Sequence, residues 1–305
     1  LKLVILKIGQ ALFIQIVNHY NKGILDLNIL LVGDGAQNIA FYNLIKKSRF
    51  LDKVFTASKS TTIEKIPNID YLDINDLVNK SKILKVDIII VTDKNLVQQD
   101  IARIFKKNYL NVICANQKWY NLENSRLILK KLLLYYSINV PQTIKVPTTF
   151  PTLIKSDLKK SNQNEKIIRN MEDLLIQKNI LAVENQDSII FLEEFLEGEK
   201  FSITSLWDGK NLFFEPLSVN LTEVQEDRLN LYKTKLNILL SDEKADFIGF
   251  LTSNLIWAKN DWYVLDYKLI PENKDIENFA QNLKIDFLYL LNSTIYQKLN
   301  EIQDD

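Results

Sequence analysis

The chain has 305 residues, 47% apolar and 25% charged, enough to fill and cover two or three cores. Its 38 basic and 38 acidic side chains leave no net field to draw nucleic acid or an anionic membrane. The single cysteine, Cys114, excludes an internal disulfide and a thiolate metal cluster and fits a reducing cytoplasm; the single histidine, His19, leaves little room for histidine-based catalysis.

Leu3 to Val17 is apolar but interrupted by Lys7, Gln10 and Gln15, and no small-residue cleavage site precedes Asn18. That is too short and too polar for a membrane span and a poor signal peptide, so residues 1–27 are expected to be an amphipathic helix or a non-native extension. From Asn28 the pattern alternates. Ile29 to Val32 reads as a strand, Gly33-Asp34-Gly35 as a turn, Ala40 to Ser48 as a helix, Lys53-Val54-Phe55 as a second strand and Val86 to Val91 as a buried third. A helix over Ile101 to Lys107, a strand over Val112 to Ala115 and a longer helix over Glu123 to Tyr136 follow. This strand–helix–strand series predicts a parallel sheet. Gly33-Asp34-Gly35 is a poor dinucleotide fingerprint, because Asn38 stands where the third glycine belongs and no acidic residue ends the second strand.

Pro141, Pro147 and Pro151 disfavour helix and mark an extended connection. Beyond them the pattern gives a strand over Thr152 to Lys155, a helix over Glu172 to Lys178 and a strand over Ser188 to Glu194. The segment Phe191 to Lys210, FLEEFLEGEKFSITSLWDGK, runs that strand into paired carboxylates, a glycine turn and another strand. Two readings stay open on these residues alone. One is an acidic surface β-hairpin. The other is a nucleotide edge, in which the backbone of Glu193-Glu194-Phe195-Leu196 meets a purine rim and Glu199 accepts ribose hydroxyls.

The segment resembles the VIEEFLDGEE…DGK hinge of phosphoribosylamine–glycine ligases (glycinamide ribonucleotide synthetases), of the ATP-grasp superfamily. The resemblance continues in order. Asn28 to Gly35 is similar to the family's first strand and glycine turn, and Val86 to Val91 to its third strand. Glu123 to Lys130 (ENSRLILK) resembles EGSKAFAK, and Ser137 to Pro141 resembles the following GIPT turn. Gly249-Phe250-Leu251 resembles GFLYAGL, Trp262 to Asp266 the VIEFN strand, and Asn278 to Leu291 the helix after it.

The resemblance implies an α/β protein. A Rossmann-like parallel-sheet pre-ATP-grasp domain is expected over 28–122, a linker helix and small ATP-grasp subdomain over 123–187, and a larger α+β subdomain over 188–305, without the family's carboxy-terminal domain. It implies ATP and Mg²⁺, with Lys118 near adenine, Lys155 (FPTLIKSD, similar to PVVVKADG) on the phosphates, and Glu193, Glu194, Phe195, Leu196 and Glu199 around the nucleoside. Gly33 and Gly35 would bind the amine substrate's phosphate, and Asp266 the metal. Glycine and phosphoribosylamine are the implied substrates, in purine biosynthesis.

The departures are as informative. Leu158 to Arg169 (LKKSNQNEKIIR) has no glycine where the family wraps phosphates with bare backbone; Lys159, Lys160 and Lys166 there supply charge or form a solvated basic loop. Lys268 stands where the family has the asparagine metal ligand, with Glu272 and Asp275 as nearby acids. The glycine-rich substrate loop has no counterpart between Pro216 and Phe247. The expectations are therefore a divergent ligase or a non-catalytic relative binding a nucleotide or protein partner. A third is an ATP-grasp enzyme for a different acid and amine.

Overall fold

The computed structural model describes residues 26–59, 63, 66–158, 165–184, 188–215 and 220–302. Most of the amino-terminal extension, with His19, and Lys159 and Lys160 lie outside the described residues.

The first unit alternates strands and helices: β1 (Leu27–Val32), α1 (Ala36–Ile45), β2 (Leu51–Ala57), α2 (Ile74–Ile83), β3 (Ile88–Val91), α3 (Lys94–Gln98), α4 (Ile101–Lys107) and β4 (Val112–Ile113). The strands form the expected parallel sheet, in the order β2-β1-β3-β4. Side-chain alternation sorts β1 between two cores: Ile29 and Leu31 pack with Phe41 and Ile45 of α1, Leu30 and Val32 with Leu77, Val97 and Phe105. The first helix starts four residues earlier than its apolar residues suggest, because polar Asn38 is buried in its first turn, its Nδ2 donating to the Gly33 carbonyl at 2.6 Å.

The helix expected over Glu123 to Tyr136 is two helices, α5 (Gln117–Asn124) and α6 (Arg126–Tyr135). Ser125 between them is extended and forms an isolated bridge to Leu158. The Asp157 carboxylate accepts from the Leu127 N–H at 2.7 Å and from the Ser125 hydroxyl at 3.2 Å, satisfying an orphan donor of the first turn of α6 from across the fold.

A second, antiparallel sheet is built from β5 (Thr143–Ile144), β6 (Thr152–Ser156), β7 (Glu165–Ile168) and β8 (Ile190–Glu194), in the order β5-β8-β6-β7, with α7 (Met171–Glu184) against it. β5 and β7 are additions to the expected strand–helix–strand unit. β7 uses part of the segment read as a basic loop, and Lys166 is exposed on it.

The third sheet contains β9 (Glu199–Trp207), β10 (Leu212–Phe214), β11 (Gly249–Ala258) and β12 (Asp261–Lys268), antiparallel in the order β10-β9-β11-β12, with α8 (Glu223–Asp242) between β10 and β11 in sequence. Leu229, Leu236 and Leu239 of α8 pack with Trp207 and Trp262 of the sheet and with Trp119 and Leu129 of α5 and α6. Cys114 bridges to Ile248, its N–H donating at 2.7 Å, which ties the first sheet to the third.

The single terminal helix expected around Phe279 to Leu291 is again two, α9 (Asn273–Asn282) and α10 (Phe287–Ile295), the second capped by the Asp286 carboxylate. Both return to the first sheet, where Phe279, Phe287 and Leu288 complete the core around Phe41. Among the described residues no helix is long and apolar enough to cross a membrane.

Candidate functional site

The strands flanking Gly198 belong to different sheets: β8 pairs with β5 and β6, β9 with β10 and β11. The surface-hairpin reading is thereby excluded. Residues 195–198 are the passage between two sheets, and Gly198 is required there because a Cβ would lie 1.9 Å from the Trp257 carbonyl oxygen. The two sheets enclose a cleft of about 730 Å³ lined by Lys155, Glu194, Phe195, Leu196, Glu199 and Asp266, among others. Six residues singled out in the sequence thus meet in one place.

On the side of the second sheet, β6 carries Lys155 and β8 carries Glu193. Both are buried, and the Lys155 ammonium lies 2.9 Å from Glu193 Oε2 and 3.6 Å from Glu165 Oε2. The other oxygen of Glu193 pairs with Lys130 of α6, whose ammonium also donates to the Thr143 hydroxyl at 3.1 Å. Burial pushes the Lys130 ammonium below its ordinary value, against the opposing attraction of Glu193. Lys130 and Lys155 share the one buried carboxylate of Glu193, and the second acid near Lys155, Glu165, is half exposed, so the Lys155 ammonium at the cleft wall is a group that an anion such as phosphate could meet.

Lys130 was not among the candidate ligands of the sequence reading, although it closes the motif ENSRLILK. The signal was available. Leu129 and Leu133 form the buried stripe of α6, and a lysine adjoining Leu129 and three residues before Leu133 falls on the same face. Lys118, the lysine assigned instead, is exposed at the start of α5. It lines a separate depression of about 720 Å³ with Arg103, Lys106 and Asp246.

Glu194 alternates to the other side of β8. Its carboxylate accepts from the Gln142 N–H at 2.9 Å and pairs with Lys259. Its own N–H donates to the Gln142 carbonyl, so this backbone group belongs to the ladder and not to a ligand, while Phe195 and Leu196 follow the last paired residue and border the cleft. Glu199 is exposed at the rim, at the first position of β9.

On the side of the third sheet, Asp266 and Lys268 share one face of β12, while Tyr267 between them points into the core and contacts the Tyr232 hydroxyl. Asn254 donates its side-chain amide to Asp266 Oδ1. Lys268 Nζ lies 3.1 Å from Glu272 Oε2 and 3.5 Å from Asp275 Oδ2, the two acids at the start of α9. Deeper in the same wall, Glu215 is buried. Its Oε1 accepts from the Thr204 N–H at 2.8 Å, its Oε2 has no hydrogen-bond partner among the described residues, and burial pushes its carboxyl up to about 7.

Gly33 and Gly35 lie in the turn from β1 to α1 and do not line this cleft. Gly33 has φ +143, and a Cβ there would meet the Thr92 hydroxyl at 2.3 Å. Asn38 locks the turn, donating to Gly33 and accepting from the Thr92 hydroxyl at 2.9 Å.

Residues 27–123 match the family model described as phosphoribosylglycinamide synthetase, N domain. A phosphoribosylamine–glycine ligase from Fusobacterium nucleatum is 24% identical over 92% of this chain and 76% of that protein. Among solved structures, a phosphoribosylamine–glycine ligase from Thermotoga maritima aligns with TM-score 0.68 and 16% identity over 89% of this chain and 76% of that one. A biotin carboxylase from Campylobacter jejuni, solved as a β-γ-ATP complex, aligns with TM-score 0.64 and 13% identity over 88% of this chain and 70% of that one.

Proposed function

We propose that this divergent relative of the phosphoribosylamine–glycine ligases, with the ATP-grasp fold, binds ATP between its two antiparallel sheets as a ligase-like protein of purine biosynthesis. The observation that carries the reading is the buried Lys130–Glu193–Lys155 arrangement beside the passage that joins the sheets. In this reading Lys155 and Lys130 face the phosphates, Phe195 and Leu196 border the adenine, and Glu199 takes the ribose. Lys118, away from the cleft, has no part in it.

The reaction class is ATP-dependent joining of a carboxylate to an amine. A carboxylate oxygen takes the terminal phosphoryl group with release of ADP, and the amine nitrogen then attacks the acyl carbon, expelling phosphate. The substrates we assign are small molecules, glycine and phosphoribosylamine; in this reading the backbone N–H groups after Gly33, at the start of α1, take the phosphate, since the Gly33 N–H itself donates to the Ala57 carbonyl. The parallel sheet then serves as the substrate unit and the two antiparallel sheets as the nucleotide clamp. A cytoplasmic location accords with such substrates.

The donors at Asp266 do not fit a protein-bound Mg²⁺. Magnesium requires close oxygen ligands, yet one Asp266 oxygen accepts from the Asn254 amide, and the Lys268 ammonium stands on the same strand face, paired with Glu272 and Asp275. That arrangement favours a second reading, a nucleotide-binding relative with little turnover.

Calorimetry with ATP on the whole chain and on Lys155→Ala tests the reading, followed by phosphate release with glycine and phosphoribosylamine. Binding lost in Lys155→Ala is expected. Release that needs both substrates establishes the ligase; binding without release establishes the second reading; no binding by the intact chain overturns both.

A further inference from the structure

We propose that Lys268 takes the place of a divalent cation as the counter-charge to the nucleotide's phosphates, so that nucleotide binding by this chain is metal-independent. The inference rests on the nucleotide reading above.

The ammonium is positioned rather than free. One of its two carboxylate partners is itself held: Asp275 Oδ2 accepts from the Glu272 N–H at 2.9 Å in the capping box of α9, and Asp275 Oδ1 accepts from the Ser202 hydroxyl at 3.1 Å. An ammonium has three N–H donors. Glu272 and Asp275 account for two, and the Lys268 side chain keeps 23% exposure on the wall of the cleft, which leaves the third to reach a ligand oxygen. Asp266, two residues back on the same face, is engaged by Asn254, so the carboxylates beside Lys268 are already in use, while Glu215 lies deeper in the wall with one oxygen that has no hydrogen-bond partner among the described residues.

A metal placed here would meet a like charge within the span of one strand face, whereas a phosphate oxygen would meet an ammonium whose position is already set. Lys155 stands on the opposite, second-sheet side of the cleft, with Lys130 of α6 behind it on the other oxygen of Glu193. A polyphosphate lying between the two sheets would therefore meet an ammonium from each side, Lys155 and Lys268. An ammonium carries half the charge of Mg²⁺ and cannot bridge two phosphate oxygens as an inner-sphere metal does, so the same substitution favours holding a nucleotide over transferring its phosphoryl group.

The test is calorimetric titration of the full chain with ADP, in EDTA and in excess Mg²⁺, for the unsubstituted protein, Lys268→Asn and Lys268→Arg. The unsubstituted Kd is expected to change by less than about threefold between the two conditions. Lys268→Asn is expected to bind about tenfold more weakly in EDTA and to recover with Mg²⁺, while Lys268→Arg keeps its EDTA affinity. Tighter binding of the unsubstituted protein in Mg²⁺ by about tenfold or more overturns the inference and leaves the nucleotide reading standing. Undiminished affinity of Lys268→Asn in EDTA also overturns it. Absence of ADP binding in every condition overturns both.

Discussion

Lys155 Nζ lies 2.9 Å from Glu193 Oε2, and the two side chains are only 6% and 5% exposed. At that depth neither charge is hydrated enough to stand alone, so each depends on the other and on Lys130. Removing the carboxylate in Glu193→Ala would leave two buried ammonium groups facing each other. A loss of about 3 kcal/mol is expected in urea unfolding. A change indistinguishable from a surface substitution would mean that the site is wetter than its burial implies.

The placement of the lysines separates the structure from the motif. Lys130→Ala should weaken ATP binding by roughly tenfold, since it removes a charge-assisted contact, whereas Lys118→Ala, in a different depression, should leave it unchanged. Calorimetry on the two variants decides between them, and the reverse pattern would return the adenine contact to α5.

The passage between the sheets admits no side chain at Gly198, where a Cβ would meet the Trp257 carbonyl at 1.9 Å. Gly198→Ala must displace either β11 or the passage itself. We expect a loss of about 1–3 kcal/mol together with weaker nucleotide binding. Wild-type stability with wild-type binding would show that the close approach is easily relieved.

Glu215 gives a pH signature. Burial raises its carboxyl from 4.5 to about 7, so the folded state holds a proton that the unfolded state has released between those values. Its stabilising proton is fully present below pH 4.5 and is lost as pH rises through 7. Glu215→Gln should match the unsubstituted protein at the acid end and exceed it by about 3 kcal/mol at most above neutrality. Urea midpoints measured across that range check the sign, and parallel pH profiles would place the carboxylate in water.

Ser125 shows where local reading stops. Glu123 to Tyr136 has unbroken helical periodicity, yet the chain is extended at Ser125 because Asp157, the residue just past β6, supplies the acceptors that let α6 start afresh. The same holds at the other end, where the pattern around Phe279 to Leu291 conceals the cap at Asp286.

What the residues alone determined is whatever depends on near neighbours along the chain. Buried β-branched runs such as Ile88 to Val91 made the parallel sheet legible. The glycine between acidic strands marked the passage at 195–198, and the motif around Lys155 marked one phosphate candidate. Only the tertiary structure decided that β8 and β9 part into separate sheets, that Lys130 rather than Lys118 reaches Glu193, and that Lys268 is pinned by Glu272 and Asp275. Strand pairing and ion pairing across different elements are fixed by which faces the packed cores bring together, and that choice is made by burial over the whole chain, not by the sequence within any one segment.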